Sequence, residues 1–438
     1  MTEEKEKLYK HSYLSLFSVN YFIQGTVTSV FAVIIPIYLL MLIANTGAAI
    51  TASDIAFIAT IVMIPWSIKL FFGILTDKYG MEQVGRRRPW ILFPIIVAGI
   101  VWIVLPFLIT PNNAIMVFII AGLIITTGTA LSDTALDGLI IDIVPKEQLG
   151  SVQGTCWGLR SVGMIFGGPL FAILIWIFGI PVESIFILMG IFMIIAALTI
   201  IIVQEPKTYP EVNVREHFKG MFNNSKDWKM YSFSAFNAII DFVVIVFLSL
   251  YILIQMGLVS DTGTALELET NDPSIYMVQA YISFLISIGI VGGAIVGGLM
   301  SDRKSRKNSV YISYILATAA LLLMLLSANV VFLLVIGVLV GAGMGWRHSS
   351  YSAVAGEYSK EHPEMDSTYL SICNSFSNLG GALGLVFAGV FFAATGDYLL
   401  MFFFLALIQN IGIIPFLLMH PLDYEFKLRE TEALKKKE

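Results

Sequence analysis

Long apolar stretches alternate with short polar ones along nearly the whole chain, and that rhythm predicts twelve membrane-crossing helices. Their expected bounds are 13–43, 54–75, 90–110, 114–143, 150–179, 183–203, 229–255, 275–300, 309–327, 330–356, 367–394 and 398–419. Each is long enough to cross a hydrocarbon core of about 30 Å. Lipid offers the backbone no hydrogen-bond partner, so only helices or closed barrels cross it. Runs this continuous exclude the alternating pattern of a barrel strand. The first run is also too long for the apolar core of a signal peptide, so no cleaved leader is expected.

Two of the polar stretches are variants of one another. Gly73-Ile-Leu-Thr-Asp77-Lys78-Tyr-Gly80 is followed by Gly85-Arg86-Arg87-Arg88-Pro89, and Gly298-Leu-Met-Ser-Asp302-Arg303-Lys304 by Arg306-Lys307. Each ends an apolar helix at an Asp, adds positive charge and returns to an apolar run. The two aspartates lie 225 residues apart in a chain of 438, so the chain reads as two similar halves. Span 5 repeats in span 11 as well: Cys156, Gly163 and Gly167 recur as Cys373, Gly380 and Gly384 at a constant offset of 217. Glycines four apart let helices approach closely in lipid, either to slide or simply to pack. The expected organisation is a first bundle over 1–203, a linker over 204–228 with a short interfacial helix around 213–223, a second bundle over 229–419, and a tail over 420–438.

Charge adds an orientation. The chain is 57% hydrophobic and 13% charged, with a mean hydropathy of +0.83, whereas soluble domains carry roughly a quarter charged residues. Of the 26 Lys and Arg, only Lys69, Arg160 and Arg347 fall well inside spans. None lies in the loops 44–53, 111–113, 180–182, 256–274, 328–329 or 395–397. By the positive-inside rule both termini are cytoplasmic, and the plasma membrane is the expected location. The net charge of −5 says little about partners, because the signs are segregated by side. Asp261, Glu267, Glu269 and Asp272 make one outer loop acidic, while basic clusters stand at 86–88, 303–307 and 435–437. Those clusters either touch anionic lipid or, the blander reading, simply anchor the topology in the bilayer, and no nucleic-acid partner is expected. Cys156 and Cys373 lie inside spans, with neither disulfide context nor metal-ligand spacing.

The string Gly73-x-Leu75-x-Asp77-Lys78-x-Gly80 with Arg86-Arg87 resembles the signature of the loop between spans 2 and 3 in the major facilitator superfamily, and Gly298 to Lys307 is a weaker copy. The resemblance covers essentially the whole chain in helix count, halves and polarity. It implies an all-α membrane protein with 12 transmembrane helices in two pseudo-symmetric six-helix bundles, around a central cavity opened alternately to each side. It implies further that Asp77 caps or pairs across the seam near span 11, that Arg86, Arg87 and Arg88 support this gate, and that Asp302 and Arg303 repeat it. The departure is Met81-Glu-Gln-Val84, which separates Gly80 from Gly85 and displaces the basic half. The Gly-Arg-Arg-Arg-Pro string resembles sucrose-type glycoside–cation symporters. The insertion and Trp90 are similar to the muropeptide permeases and the acetyl-CoA transporters. The hairpin from Ser132-Asp133-x-x-x-Asp137 through Asp142, Pro145, Glu147 and Gly150 to Gly158-Leu-Arg160 and Gly163-Met164 is also similar to the muropeptide permeases.

The residues of that hairpin carry an argument of their own. Asp133 and Asp137 are one turn apart on span 4 and share a face. At 1.5 Å per residue they lie roughly 10–18 Å from the turn, and Arg160 on span 5 lies on the order of 15 Å from it. Ionisable groups at such depth line a cavity or pair with one another. One guanidinium facing two carboxylates gives either a proton carrier whose affinity Arg160 controls, or a permanent bridge between spans 4 and 5. Asp142, nearer the helix end, reads as a gate or end residue. In the second half, Asp241 on span 7 is the expected substrate or proton contact, with Asn237 on the same face. Arg347 on span 10 has Asp241 or Glu357 as alternative partners. His348 either titrates near neutrality or packs. The amide pairs Asn20 with Gln24 and Asn374 with Asn378, together with Gln279, suit a hydroxyl-rich ligand, and equally suit helix-to-helix bonding. Trp66 and Tyr21 offer stacking faces to a sugar ring, and Lys69 is expected to snorkel toward the cytoplasm.

No phosphate-binding Gly-rich loop, clustered His site or nucleophile motif is present, which argues against an enzyme and against direct use of ATP. No cofactor or metal is expected. Span 2 has no carboxylate between Asp54 and Asp77, so protons are favoured over sodium as the coupling ion. The expectation is a monomeric, proton-coupled symporter of a small polar, sugar-containing solute. The alternatives are a lipid-handling, scramblase-like protein or a non-transporting sensor on the same fold.

Overall fold

The computed structural model describes residues 9–43, 50–81, 84–144, 146–206, 214–262, 266–269, 274–326, 328–359, 361–362 and 366–425. The side chains of Asp77 and Asp302, the linker stretch 207–213 and the basic cluster 435–437 lie outside the described residues. Among the described residues, twelve helices are long and apolar enough to cross a membrane. They are α1 (His11–Ile43), α2 (Ala52–Thr76), α3 (Arg88–Leu108), α4 (Ala114–Ile140), α5 (Gly158–Phe178), α6 (Val182–Ile202), α7 (Ser225–Gln255), α8 (Ser274–Ser301), α9 (Arg306–Leu326), α10 (Val330–Ser359), α11 (Thr368–Thr395) and α12 (Tyr398–Leu417). All twelve expected spans are present, with ends moved by a few residues. Phe57, Phe71, Phe93, Phe107, Ile120 and Val331 are among the large apolar residues left exposed, as lipid-facing positions should be.

Several helices are interrupted where the sequence supplies a cause or a function. Pro65 cannot donate to the helical ladder, and α2 breaks at Ile68 between the segments Ala52–Ser67 and Lys69–Lys78. In α7 the segment Ser225–Asn237 ends and helical structure resumes at Asp241. Single π-helical turns occupy Val30–Ile34 in α1, Phe166–Leu170 in α5 and Val244–Leu248 in α7. Such turns cluster at functional sites. Helical structure continues past α4 to Ile143 and resumes at Lys146, so the fourth and fifth helices form a tight hairpin. The expected linker helix is present as Val214–Asn223. The acidic loop holds a small hairpin, β1 (Val259–Asp261) and β2 (Leu266–Leu268), which its composition did not announce.

The chain divides into two compact units, Met1–Asn213 with Ser260–Tyr281, and Val214–Val259 with Ile282–Glu438. In the first, Tyr13, Phe17, Tyr21, Ile91, Leu136, Leu139, Ile140, Cys156 and Val203 form a continuous apolar core. There α1 lies so close to α5 that a Cβ at Gly163 or Gly167 would fall 2.0 or 2.3 Å from the carbonyl oxygens of Phe22 and Thr26. In the second unit α7 and α11 repeat the contact, with Gly380 and Gly384 at 1.7 and 2.0 Å from the carbonyl oxygens of Ala235 and Ile239. Cys156 and Cys373 are buried free thiols.

Candidate functional site

In the first unit the break after Pro65 turns Lys69 inward. Its ammonium bonds to Asp133 and stands 3.8 Å from Asp137 Oδ2. Lys69 is buried, so the expected snorkelling is corrected: a broken helix aims it at two carboxylates instead of at the membrane surface. Arg160 Nη1 approaches Asp133 Oδ1 at 3.6 Å. Both cations also sit over Trp66, Lys69 Nζ at 5.6 Å and Arg160 Cζ at 5.0 Å from the ring centroid. Trp66 is therefore a cation platform here, not a free stacking face. Tyr21 donates its hydroxyl to Asp137, which likewise replaces the stacking role. The charge count changes with these contacts, since two acids face two bases. Asp133 is sealed, its side chain 2% exposed, while Asp137 keeps 22% and Arg160 14%.

The second unit builds a different arrangement. Arg347, 1% exposed, places Nη2 at 2.5 Å from Asp241 Oδ1 and gives Nη1 to Gln409 Oε1 at 2.9 Å. Of the two partners open to Arg347, the structure selects Asp241. Glu357 pairs instead with Arg306, at 3.1 Å. His348 Nε2 lies 2.7 Å from the other Asp241 oxygen, with its ring 44% exposed. Asn237 Nδ2 reaches His348 Nδ1 at 3.4 Å and Ser377 Oγ at 3.1 Å. Asn237 and Asp241 thus meet through His348 despite the break between them. Gln409, absent from the expected set, donates onward to Thr318 at 3.1 Å. It sits fully buried in the middle of α12, in an apolar setting where an amide needs partners.

The signature loops form clamps. Either side of the insertion, Met81 and Gly85 exchange backbone bonds at 2.9 and 2.8 Å. This returns Gly80 to Arg86, whose Cα would lie 2.8 Å from any Cβ at Gly80. Gly85 has a φ of +117°, which a side chain would strain. Glu205, three residues past the end of α6, then accepts the backbone N–H groups of Arg86, Arg87 and Arg88 at 2.7, 3.0 and 2.7 Å, capping α3. Arg87 Nε donates to Asp142 at 3.0 Å and Nη1 to Thr76 at 3.1 Å. In the second unit Glu425 accepts Ser305 Oγ and the Lys307 N–H at 2.6 and 2.7 Å, while Arg306 bridges to Glu357. Arg303 is exposed, and Gly73 lies across from Thr134.

The remaining amides divide. Asn20 donates to the carbonyls of Leu16 and Ala196 at 2.9 and 3.1 Å, which ties α1 to α6. Gln24 is buried with no hydrogen bond to Oε1 among the described residues. Gln279 is buried in the same condition. Asn374 and Asn378 stand half-buried on α11.

Twelve membrane-length helices in two units, with buried ion networks in each, narrow the field to few architectures. The sequence profile of the Major Facilitator Superfamily matches residues 17–270 and again 269–437. The chain belongs to that superfamily. It is an integral, multi-pass membrane protein of the facilitator fold. Among facilitator-like relatives, the putative transporter AmpG 1 of Rickettsia conorii is 27% identical over 272 residues, 58% of this chain and 63% of that one. The probable folate-biopterin transporter 4 of Arabidopsis thaliana is 24% identical over 152 residues, 34% of this chain and 30% of its own length. The chain thus spans less than two thirds of these relatives. Solved structures share the fold: the nucleoside transporter NupG, at 11% identity, superposes with a TM-score of 0.65 over 92% of this chain and 97% of its own. The D-xylose-proton symporter does so at 12% identity with a TM-score of 0.65, over 94% and 98%.

Proposed function

We propose that this facilitator is a secondary active transporter that carries a small polar, sugar-containing solute in symport with protons. In this reading it works by alternating access as a monomer in the plasma membrane, with both termini cytoplasmic. The observation that carries the reading is the contrast between Asp133 and Asp137. Both face Lys69, but Asp133 is sealed while Asp137 keeps 22% of its side chain open. A carboxylate that exchanges protons needs access to water and partners that tolerate either state, and the partial exposure of Asp137 beside Tyr21 supports that role. Tyr21 can turn its hydroxyl from donor to acceptor when Asp137 is protonated. Asp133 holds Lys69 and Arg160 in place through the cycle. In the second unit, His348 and Asp241 beside Asn237 offer a polar contact for the solute.

The test is uptake into proteoliposomes under an imposed pH gradient, with sugars, sugar–peptides and acyl-nucleotides as candidate cargo. Wild type accumulates the solute, and Asp137→Asn exchanges it without concentrating it. Accumulation that ignores the pH gradient overturns proton coupling. Gradient-independent lipid flipping in the same vesicles supports the lipid-handling alternative instead.

A further inference from the structure

Within the first unit, ends of α1, α5, α6 and α8 surround a cavity of about 340 Å³. Its walls are apolar at Met41, Leu42 and Ile175 and polar at Tyr38, Glu183 and Tyr276. None of these residues belongs to the ion networks described above. Tyr38 donates its hydroxyl to Glu183 Oε1 at 2.8 Å, the one hydrogen bond that this carboxylate takes among the described residues. Edge-on packing against Phe118 and Phe186, with ring centroids 6.0 and 5.4 Å away, holds the Tyr38 ring in place. Tyr276 lies within electrostatic reach of Glu183 and Tyr38, yet its buried hydroxyl has no hydrogen bond among the described residues. Buried hydroxyls are normally satisfied, so an orphaned one beside a cavity marks a place where a ligand can bond.

Glu183 also lacks a counter-charge. Residues 30–59, 170–200 and 256–281, which build this end of the unit, contain no Lys, Arg or His. The helix dipole favours an acid in the first turn of α6 by itself. That effect neither fills the cavity nor satisfies Tyr276.

We propose that this cavity binds an organic cation, a primary ammonium on an apolar body, with Glu183 as its counter-ion. An ammonium has three N–H donors, and the cavity offers it a carboxylate and two phenol oxygens. The apolar walls hold the body and lower the local dielectric, which strengthens the ion pair. They disfavour a bare metal cation, since hard cations take a shell of oxygens. The site is separate from the proton step proposed at Asp137, and binding here stands or falls without it.

Hexylammonium is the probe, titrated against purified full-length protein in dodecyl maltoside at constant ionic strength and read by thermal unfolding, with hexanol and sodium as controls. Wild type is stabilised by hexylammonium well beyond hexanol at equal concentration. Glu183→Gln, which keeps an acceptor for Tyr38, binds the probe about tenfold more weakly, a loss of about 1.4 kcal/mol. Tyr276→Phe loses about threefold, the worth of one modest hydrogen bond. Should Glu183→Gln fail to fold, wild type alone decides the matter through the difference between ammonium and alcohol. Equal stabilisation by hexylammonium and hexanol reduces the cavity to an apolar one and overturns the ammonium site. Sodium protecting as well as hexylammonium overturns the organic cation, and unchanged affinity in Glu183→Gln overturns the counter-ion. Competition reads the source of the ammonium. Displacement of the probe by glucosamine supports the site with a free solute as its ligand, and displacement by dihexanoyl phosphatidylethanolamine supports it with a lipid headgroup.

Discussion

The two halves share their clamps and differ in their interiors. Glu205 caps the start of α3 and Arg87 reaches Asp142; Glu425 binds the start of α9 and Arg306 reaches Glu357. The same carboxylate, arginine and acid recur in each half, in the same order and doing the same work on the same loop. The buried networks show no such repetition. Asn237 and Asp241 follow Asn20 and Gln24 at the offset of 217 that relates the duplicated cysteines, yet Gln24 makes no ion pair while Asp241 holds Arg347. The first half takes its acids from α4 and its bases from α2 and α5; the second takes its acid from α7 and its base from α10. Duplication has preserved the loop clamps and released the buried ion networks.

If the interiors differ in role, removing the sealed cation of each should cost most and reveal the same physics by different partners. Lys69→Ala leaves Asp133 with only Arg160 at 3.6 Å. Stripping one partner from a buried pair costs about 3–5 kcal/mol, read as a fall in the denaturation midpoint in detergent. Lys69→Ala with Asp133→Ala should cost less than the two changes summed. Arg347→Ala should cost a similar 3–5 kcal/mol, since Asp241 loses its buried partner. His348→Ala, in contrast, should cost under about 1 kcal/mol, because the ring is 44% exposed and solvent screens its contact. If the ring contacts the solute as proposed, its loss changes transport kinetics instead.

Much of this was legible before the structure, and the rest was hidden for identifiable reasons. Apolar run length sets the spans, and depth counting along two antiparallel helices places Asp133, Asp137 and Arg160 at one level. Lys69 was the missed partner. It stands six residues from the expected end of its span, about 9 Å at the helical rise, which is deep for a snorkelling stem. Pro65, four residues earlier, was the signal that the helix breaks and redirects it. Glu205 and Glu425 lay just past helix ends, where a sequence gives no hint of which backbone they cap. Gln409 was one amide in an apolar helix, and only tertiary contact with Arg347 shows its use.

The clamps allow a finer comparison. Glu205 accepts three backbone N–H groups, and Glu425 one backbone N–H and a hydroxyl. Bonds to a charged acceptor are the stronger kind, and orphaned donors add a penalty. Glu205→Ala should therefore cost about 2–3 kcal/mol and Glu425→Ala about 1–2 kcal/mol, as unfolding midpoints. Equal losses would mean that the extra bonds in the first half are satisfied by water once the carboxylate is gone. The duplicated glycines come next. Gly163→Ala and Gly380→Ala each force a methyl against a carbonyl oxygen, at 2.0 and 1.7 Å, with an expected loss of about 1–3 kcal/mol. The two values should agree, because here the halves have kept the same contact.

The smallest effect tests whether lack of repetition is enough to mark function. Lys226 pairs with Glu361 at 2.6 Å and Asp423 at 2.8 Å, with side chains 30%, 35% and 20% exposed. At the offset of 217 its place in the first half is taken by Tyr9, so this cluster is as unrepeated as the buried networks. Exposed ion pairs contribute about 0–1 kcal/mol, because water screens them and long side chains lose freedom on pairing. Glu361→Gln should fall at the low end, since Lys226 retains Asp423, and the double change with Asp423→Asn should stay under about 1 kcal/mol. If transport is also unchanged, burial together with divergence singles out the functional charges, and divergence alone does not. A large loss of uptake with stability intact would break that rule and move attention to the ends of α7 and α10.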